Sequence, residues 1–332
     1  MAVRRRQFLT LLGSMAIGWP AEVRAQKSDR VRRIGALMAW AAGDAAGLRR
    51  AGVFTQALQD LGWTDGQNAK IDYRWPDGDV EQIHVGAKEL VGSGPDVLLC
   101  VGTAQALALG QVTRTIPIVF LMGADPVEQG VVEGLARPGR NATGFFVTEP
   151  SAGGKWLELL KELVPGLRRV AVIFNPDSAP AGKSYLHSIE NAAASFSVGA
   201  IGNPVHDTAD IDRALNSLAH ESGGGLIVLP DDFTASHRKQ IIELAARYRL
   251  PAIGASRDFA DDGGLLTYGA NPSELYQWAA SYVDQILKGA NPATLPVQAP
   301  TKFALVINLK TAKALGLTVP HTLLVSADEV ID

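Results

Sequence analysis

The feature that most constrains this chain is a repeated alternation of short, continuous apolar runs with longer stretches of helical periodicity. Apolar runs occur at 33–38, 96–101 and 116–122, and again at 169–174, 225–229 and 251–255. A run that is apolar at every position, rather than at every second one, fits a strand covered on both faces, as in the middle of a parallel sheet. Helical patterns lie between these runs. One passes through Leu48, Phe54, Leu58 and Leu61 and stops at Gly62; another covers 80–90 and is broken by Gly94-Pro95. Residues 70–75 alternate like a strand, short helices are expected at 104–112 and around 131–136, and a fifth strand near 143–147. Strand, helix and parallel strand in succession predict right-handed βαβ units.

The pattern then restarts. Helices are expected at 156–163, 184–196, 210–220 and 236–248, with strands at 169–174, 200–205, 225–229 and 251–255 between or after them. The two halves share local grammar: Gly94-Pro95-Asp96-Val97-Leu98 parallels Gly223-Gly224-Gly225-Leu226-Ile227, and Ile116-Pro117-Ile118 parallels Leu250-Pro251-Ala252. The expectation is therefore an α/β protein of two lobes, each built on a five-stranded sheet. The first lobe takes 31–146 plus about 265–290, and the second takes 147–264 plus about 291–332. A strand at 265–268, a long amphipathic helix at 273–287, a strand at 303–308 and a helix through Ala314 then pass between the lobes. Repeated crossings make a hinge, and hinged lobes suit closure around a guest.

Residues 1–25 have a different character. Arg4, Arg5 and Arg6 precede an apolar stretch from Phe8 to Trp19, and Val23-Arg24-Ala25 supplies a small-residue cleavage site. That order predicts a secretory signal peptide, and the apolar stretch is too short for a membrane span. Arg5-Arg6-Gln7-Phe8-Leu9 also fits the core of a twin-arginine signal. The single cysteine, Cys100, lies inside an apolar run. It is expected to be a core residue, and no cysteine after the apolar stretch offers a lipid-anchor site. A formal net charge of −3, made more acidic by loss of the leader's arginines, argues against a nucleic-acid partner. No other segment is apolar and long enough to span a bilayer.

The sequence carries no Gly-x-Ser-x-Gly elbow and no Walker loop. The six histidines, His84, His187, His206, His220, His237 and His321, show no helical metal-ligand spacing. The expectation is a protein that is not an enzyme and has no catalytic residues, no metal and no cofactor.

In open α/β sheets, ligands bind beyond the carboxyl ends of the strands. Those ends nominate Trp40, Gly102-Thr103-Ala104, Gly123-Ala124-Asp125 and Phe146 in the first half. In the second half they nominate Asn175 and Asp231, with Tyr268 from the crossover. The amides of Thr103 and Ala104 open a helix after Gly102, a place for a carboxylate, with the Thr103 hydroxyl as an added donor; Thr103 would equally serve as a cap. Asp125 is a counter-charge for an ammonium group or a turn residue before Pro126. Asp231 and Asp232 occupy the matching end of the second half, and one of them is an N-cap candidate. Trp40, Phe146 and Tyr268 offer an aromatic wall.

Several segments together resemble the ABC transporter substrate-binding protein family, the one with tryptophan- and other aromatic amino-acid-binding members. They include Ala57-Leu58-Gln59-Asp60-Leu61-Gly62-Trp63, Thr115-Ile116-Pro117-Ile118-Val119-Phe120, Asp125-Pro126-Val127, Leu135-Ala136-Arg137-Pro138-Gly139, Pro300-Thr301-Lys302-Phe303 and Ala327-Asp328-Glu329-Val330-Ile331. Departures such as Arg140, Gln298-Ala299 and Ala304 stand outside the nominated site. The resemblance implies a type I periplasmic-binding fold, two Rossmann-like lobes with parallel sheets joined by a three-strand hinge. It also implies a periplasmic, monomeric component of an importer, partnered by an ABC permease with its ATPase and not itself embedded in the membrane. The implied ligand is a small carboxylate such as an aromatic or branched amino acid. An aromatic acid lacking an amine, or service as a sensor domain for a receptor, remain alternatives.

Overall fold

The computed structural model describes residues 30–332 apart from Ala124, Pro180 and Glu221. The expected signal peptide at 1–25 lies outside the described residues. Among those described, no helix is long and apolar enough to cross a membrane.

The first lobe follows the predicted βα order. Strand β1 (Arg32–Leu37) leads to α1 (Ala45–Asp60), β2 (Ala69–Arg74), α2 (Val80–Gly92), β3 (Val97–Val101), α3 (Thr103–Val112), β4 (Ile118–Met122) and β5 (Ala142–Phe146). The strands form one parallel sheet in the order β2-β1-β3-β4-β5. Every residue of β3, β4 and β5 is buried, as continuous apolar runs require. Asp44 caps α1 by accepting the N–H groups of Ala46 and Gly47, and Asp79 caps α2 through Gln82. The helix expected around 131–136 does not form. Gly130 at φ 69° and Gly139 at φ 74° turn the chain instead, and the segment is tied down by bonds from Glu133 N–H to the Pro138 carbonyl and from Val297 N–H to the Leu135 carbonyl.

The second lobe begins with α4 (Ala152–Leu163), β6 (Arg169–Phe174), α5 (Gly182–Phe196), β7 (Gly199–Pro204), α6 (Thr208–Ala219) and β8 (Gly224–Val228). It continues through α7 (Asp232–Ser236), α8 (Arg238–Arg247), β9 (Ala252–Gly254), α9 (Arg257–Asp261) and β10 (Leu266–Gly269). The expected helix over 236–248 is α8, and an unexpected short helix, α7, precedes it and meets it at His237. After α10 (Pro272–Leu287) come β11 (Ala304–Asn308), α11 (Leu309–Ala314), α12 (His321–Ser326) and β12 (Glu329–Ile331).

The second sheet has seven strands rather than the expected five, in the order β12-β11-β10-β9-β8-β6-β7. Its extra strands come from the tail: β10 runs parallel to β9, and β11 lies antiparallel beside β10. The expected assignment of 265–290 to the first lobe therefore divides. The strand at 266–269 belongs to the second sheet, where it pairs with β9 on one side and β11 on the other. The helix belongs to the first lobe, where Leu275, Tyr276, Ala279 and Val283 pack with Phe54 of α1, Leu99, Val119 and Phe145. Burying a large apolar side chain of this kind contributes about 1.5–3 kcal/mol, so α10 is firmly attached to the first sheet. The chain crosses between lobes at 147–151, at 270–271 and at 299–303, three connections that place both sets of strand ends on one cleft.

Candidate functional site

A cavity of about 190 Å³ lies in that cleft. Its wall is drawn from the carboxyl ends of β1, β3, β4, β8, β9 and β10, and from the faces of α1 and α10. Five of the nominated residues border it: Trp40, Gly102, Thr103, Gly123 and Asp231. Gly102 sits at φ 116°, and a Cβ there would come within 2.7 Å of both Asp232 carboxylate oxygens and 2.0 Å of Gln105 Oε1. A side chain would fill the gap where the lobes meet. Gly102 is the N-cap of α3, and no side chain caps that helix. Thr103 is therefore not its cap and turns its hydroxyl-bearing side chain to the cavity.

The other nominated residues that the structure describes do not border the cavity. Asp125 folds back on its own turn, its carboxylate accepting the N–H groups of Val127 at 2.8 Å and Glu128 at 3.3 Å. Asn175 does the same with Asp177 and Ser178, while its backbone N–H donates to Asp231. Phe146 is buried in the main core, and the next residues, Val147 and Thr148, reach the cavity instead. Tyr268 stacks on Phe303 with ring centroids 5.7 Å apart, leaving Gly269 and Ala270 on the wall. A Cβ at Gly269 would fall 1.7 Å from the Ala255 carbonyl oxygen, so only glycine allows that crossing. Ala104 packs against the core, and Ala124 lies outside the described residues.

Two adjacent carboxylates dominate the electrostatics, and their partners differ. Asp231 is the N-cap of α7 in a reciprocal capping box with Thr234. It also accepts Asn175 N–H at 3.1 Å and the Ser178 hydroxyl at 3.2 Å. Burial pushes its carboxyl up to about 6, and these hydrogen bonds work against the rise. Asp232 begins the helix that Asp231 caps. Burial pushes it further, to about 8, with the neighbouring Gln105 side chain lowering it and the Asp231 charge raising it. Its Oδ2 is buried with no hydrogen-bond partner, and so are Gln105 Oε1, Thr148 Oγ1 and Tyr276 OH. Buried polar atoms are ordinarily paired, and three of these, on Asp232, Thr148 and Tyr276, line the cavity, which makes it the candidate place for a guest. All three can accept a hydrogen bond, the two hydroxyls being able to donate as well.

A basic group completes the wall. The Arg50 guanidinium lies 4.4 Å from the centre of the Trp40 ring, a cation–π contact, and borders the cavity from α1. Sequence reasoning missed Arg50 and Tyr276 because they reach the cleft from helix faces, where strand-end logic does not look. Asp232 carried a visible signal, as one of two adjacent acids at a strand end, but spacing alone could not separate the cap from the cavity group. Among the described residues, no cluster of histidine, cysteine and acidic side chains is arranged to hold a metal ion.

The comparisons with known proteins agree with this architecture. A tyrosine-binding protein from Clostridioides difficile is 27% identical over 264 residues, covering 80% of this chain and 75% of that one. A solved structure of a conserved domain protein from Vibrio cholerae is 29% identical with a TM-score of 0.83, covering 91% of this chain and all of the other. The ABC domain from Streptococcus pneumonia, solved in complex with L-Trp, shares the fold at 24% identity and a TM-score of 0.77, over 90% of this chain and 99% of that one. Residues 36–331 match the family model for ABC transporter substrate binding protein, and with the two-lobed fold and its cleft this chain belongs to the ABC transporter substrate-binding protein family.

Proposed function

We propose that this protein captures a small amine-bearing amino acid, an aromatic one first, and delivers it unaltered to an ABC permease. The observation that carries this reading is the set of partnerless buried acceptors that the two lobes bring together. Asp232 Oδ2 comes from the second lobe and Tyr276 OH from α10 on the first, so a donor placed between them contacts both lobes only when the cleft is shut. Such a ligand shifts the population toward closure, because those contacts do not exist in an opened form. An ammonium group suits the position: it donates in several directions and carries the charge that a buried carboxylate lacks a partner for.

The orphan N–H groups at the start of α3 and the Thr103 hydroxyl suit the carboxylate end of the same molecule. Trp40 supports its ring. The volume favours this size class, since 190 Å³ is below the roughly 300 Å³ where pockets for drug-sized molecules begin. The tyrosine-binding relative and the L-Trp complex point to the same class. We further propose that the leader directs the protein to the periplasm, where it works as a free monomer.

A thermal-shift screen of the purified protein against amino acids, aromatic acids without an amine, and purines tests the reading. L-tyrosine or L-tryptophan should raise the melting temperature, and the bound compound should be recovered chemically unchanged. Stabilisation by purines alone, or turnover of the bound compound, would overturn it. Recovery of the protein from a cold osmotic-shock fraction checks the location.

A further inference from the structure

The inner cavity has a neighbour. A second depression of about 910 Å³ opens on the surface along α1, α9 and the start of α10, and the two share Arg50, Asp258 and Pro272. The Arg50 side chain therefore stands in the wall between the inner cavity and the outside. It is held there from the opposite lobe: its guanidinium donates to Ser256 Oγ at 2.8 Å and pairs with the Asp258 carboxylate. Asp258 is also paired with Arg49 at 2.9 Å. A second crossing lies at the cap of α1, where Arg238 of α8 bonds Asp44 at 3.0 Å and is backed by Asp262 at 2.6 Å.

Among the described residues, ion pairs cross the cleft at these two places, both within the cap and first six residues of α1. The side chains are sheltered: Arg238 is 7% exposed, Arg50 13%, Asp258 11% and Asp44 15%. Charges this sheltered are screened far less by salt than surface pairs are, and leaving one without its partner is costly.

We infer that Arg50 and Asp258 form the door of the cavity, with Arg238 and Asp44 as its bolt, so that a solute enters or leaves only when both cross-lobe pairs break. Arg50 acts as a positioning residue with two faces. One lies on Trp40 against the guest; the other reports through Asp258 that the lobes have met. The pairs make closure partly a property of the protein rather than of the ligand alone, and they place the barrier to exchange on α1.

The test compares the purified full-length protein with Asp258→Asn, Asp44→Asn and the double variant. Asp44→Asn retains a good helix cap, since asparagine caps as well as aspartate, and Asp258→Asn preserves shape. Asp177→Asn, a carboxylate 63% exposed that borders neither depression, is the control. L-tyrosine serves as the probe, which rests on the reading above. Its release, followed by stopped-flow tryptophan fluorescence, should be about tenfold or more faster in Asp258→Asn, because loss of a sheltered charge partner acts mainly on the dissociation rate. The control should release at the wild-type rate. Small-angle scattering without any ligand supplies a second readout: the double variant should show a larger radius of gyration than the wild type. Equal radii, or an unchanged release rate in Asp258→Asn, would overturn the door. A larger radius with no L-tyrosine binding by any form would uphold the door and remove the amino-acid reading instead.

Discussion

Asp232→Asn separates binding from folding most cleanly. The carboxyl has an ordinary value of 3.8 and is raised to about 8 in the closed cleft, first by burial and then by the Asp231 charge. At 1.36 kcal/mol per unit, holding it protonated at pH 7 costs on the order of 4 kcal/mol relative to water. The sign follows directly. A raised carboxyl makes closure take up a proton, so closure without a cation is unpenalised below about pH 4 and weakens as pH rises toward 8. Beyond that it is constant. An ammonium group in the cleft removes the need for the proton. Asparagine has no charge to desolvate, so the variant should close without a ligand at least as readily as the wild type, with the pH dependence between about 6 and 8 removed and only that of Asp231 left below it. The fold should not suffer, and the unliganded melting temperature should be no lower. Binding should suffer severely, because a buried ammonium without its carboxylate loses about 3–5 kcal/mol, roughly 10²–10³-fold or more in Kd. Isothermal titration with L-tyrosine, and with the same compound lacking its amine, provides the assay. The variant should lose the amino acid and retain or improve on the deaminated acid. Binding of L-tyrosine within about threefold of wild type, or collapse of the unliganded protein, would refute the assignment of Asp232 to the ammonium.

The neighbouring acid should behave in the opposite way. Asp231→Ala removes a helix cap worth about 1 kcal/mol and leaves the Asn175 N–H and Ser178 hydroxyl without their acceptor, at about 1–3 kcal/mol each. Chemical denaturation should show a loss of several kcal/mol, and an unchanged midpoint would contradict a structural role. Thr103→Val should weaken binding of L-tyrosine about tenfold, the worth of one hydrogen bond to a charged group, while thermal melting stays near wild type because Gly102 rather than Thr103 is the N-cap of α3. A fall of many degrees would show that the hydroxyl supports the fold.

Much of this architecture is legible in residue order because it depends on local physics. A strand such as β3 or β8, buried at every position, must be apolar throughout, and the helices between strands must show one apolar stripe. Local signals failed where partners decide. The segment around 131–136 has enough apolar residues for a helix, yet its flanking glycines and contacts with residues 293 and 297 hold it as turns. The tail at 266–269 reads as a strand, but which sheet it extends depends on which edge remains open, and β9 offered one.

The candidate site divides along the same line. Residue types at strand ends are enough to nominate Trp40, Gly102, Thr103, Gly123 and Asp231, because a parallel sheet sends those ends to one side. Asp125 and Asn175 sit at equivalent ends, but their short polar side chains find backbone N–H groups of their own turns first. By itself, then, the sequence determined the two βα lobes and the edge of each sheet that borders the cleft. Tertiary structure alone decided which of two adjacent aspartates caps a helix and which keeps an unpaired oxygen at the cavity, and that α1 and α10 deliver Arg50 and Tyr276 to the same cleft. The physical reason is that periodicity encodes what a segment buries, whereas a binding group is defined by what remains unpaired after every other segment has taken its place.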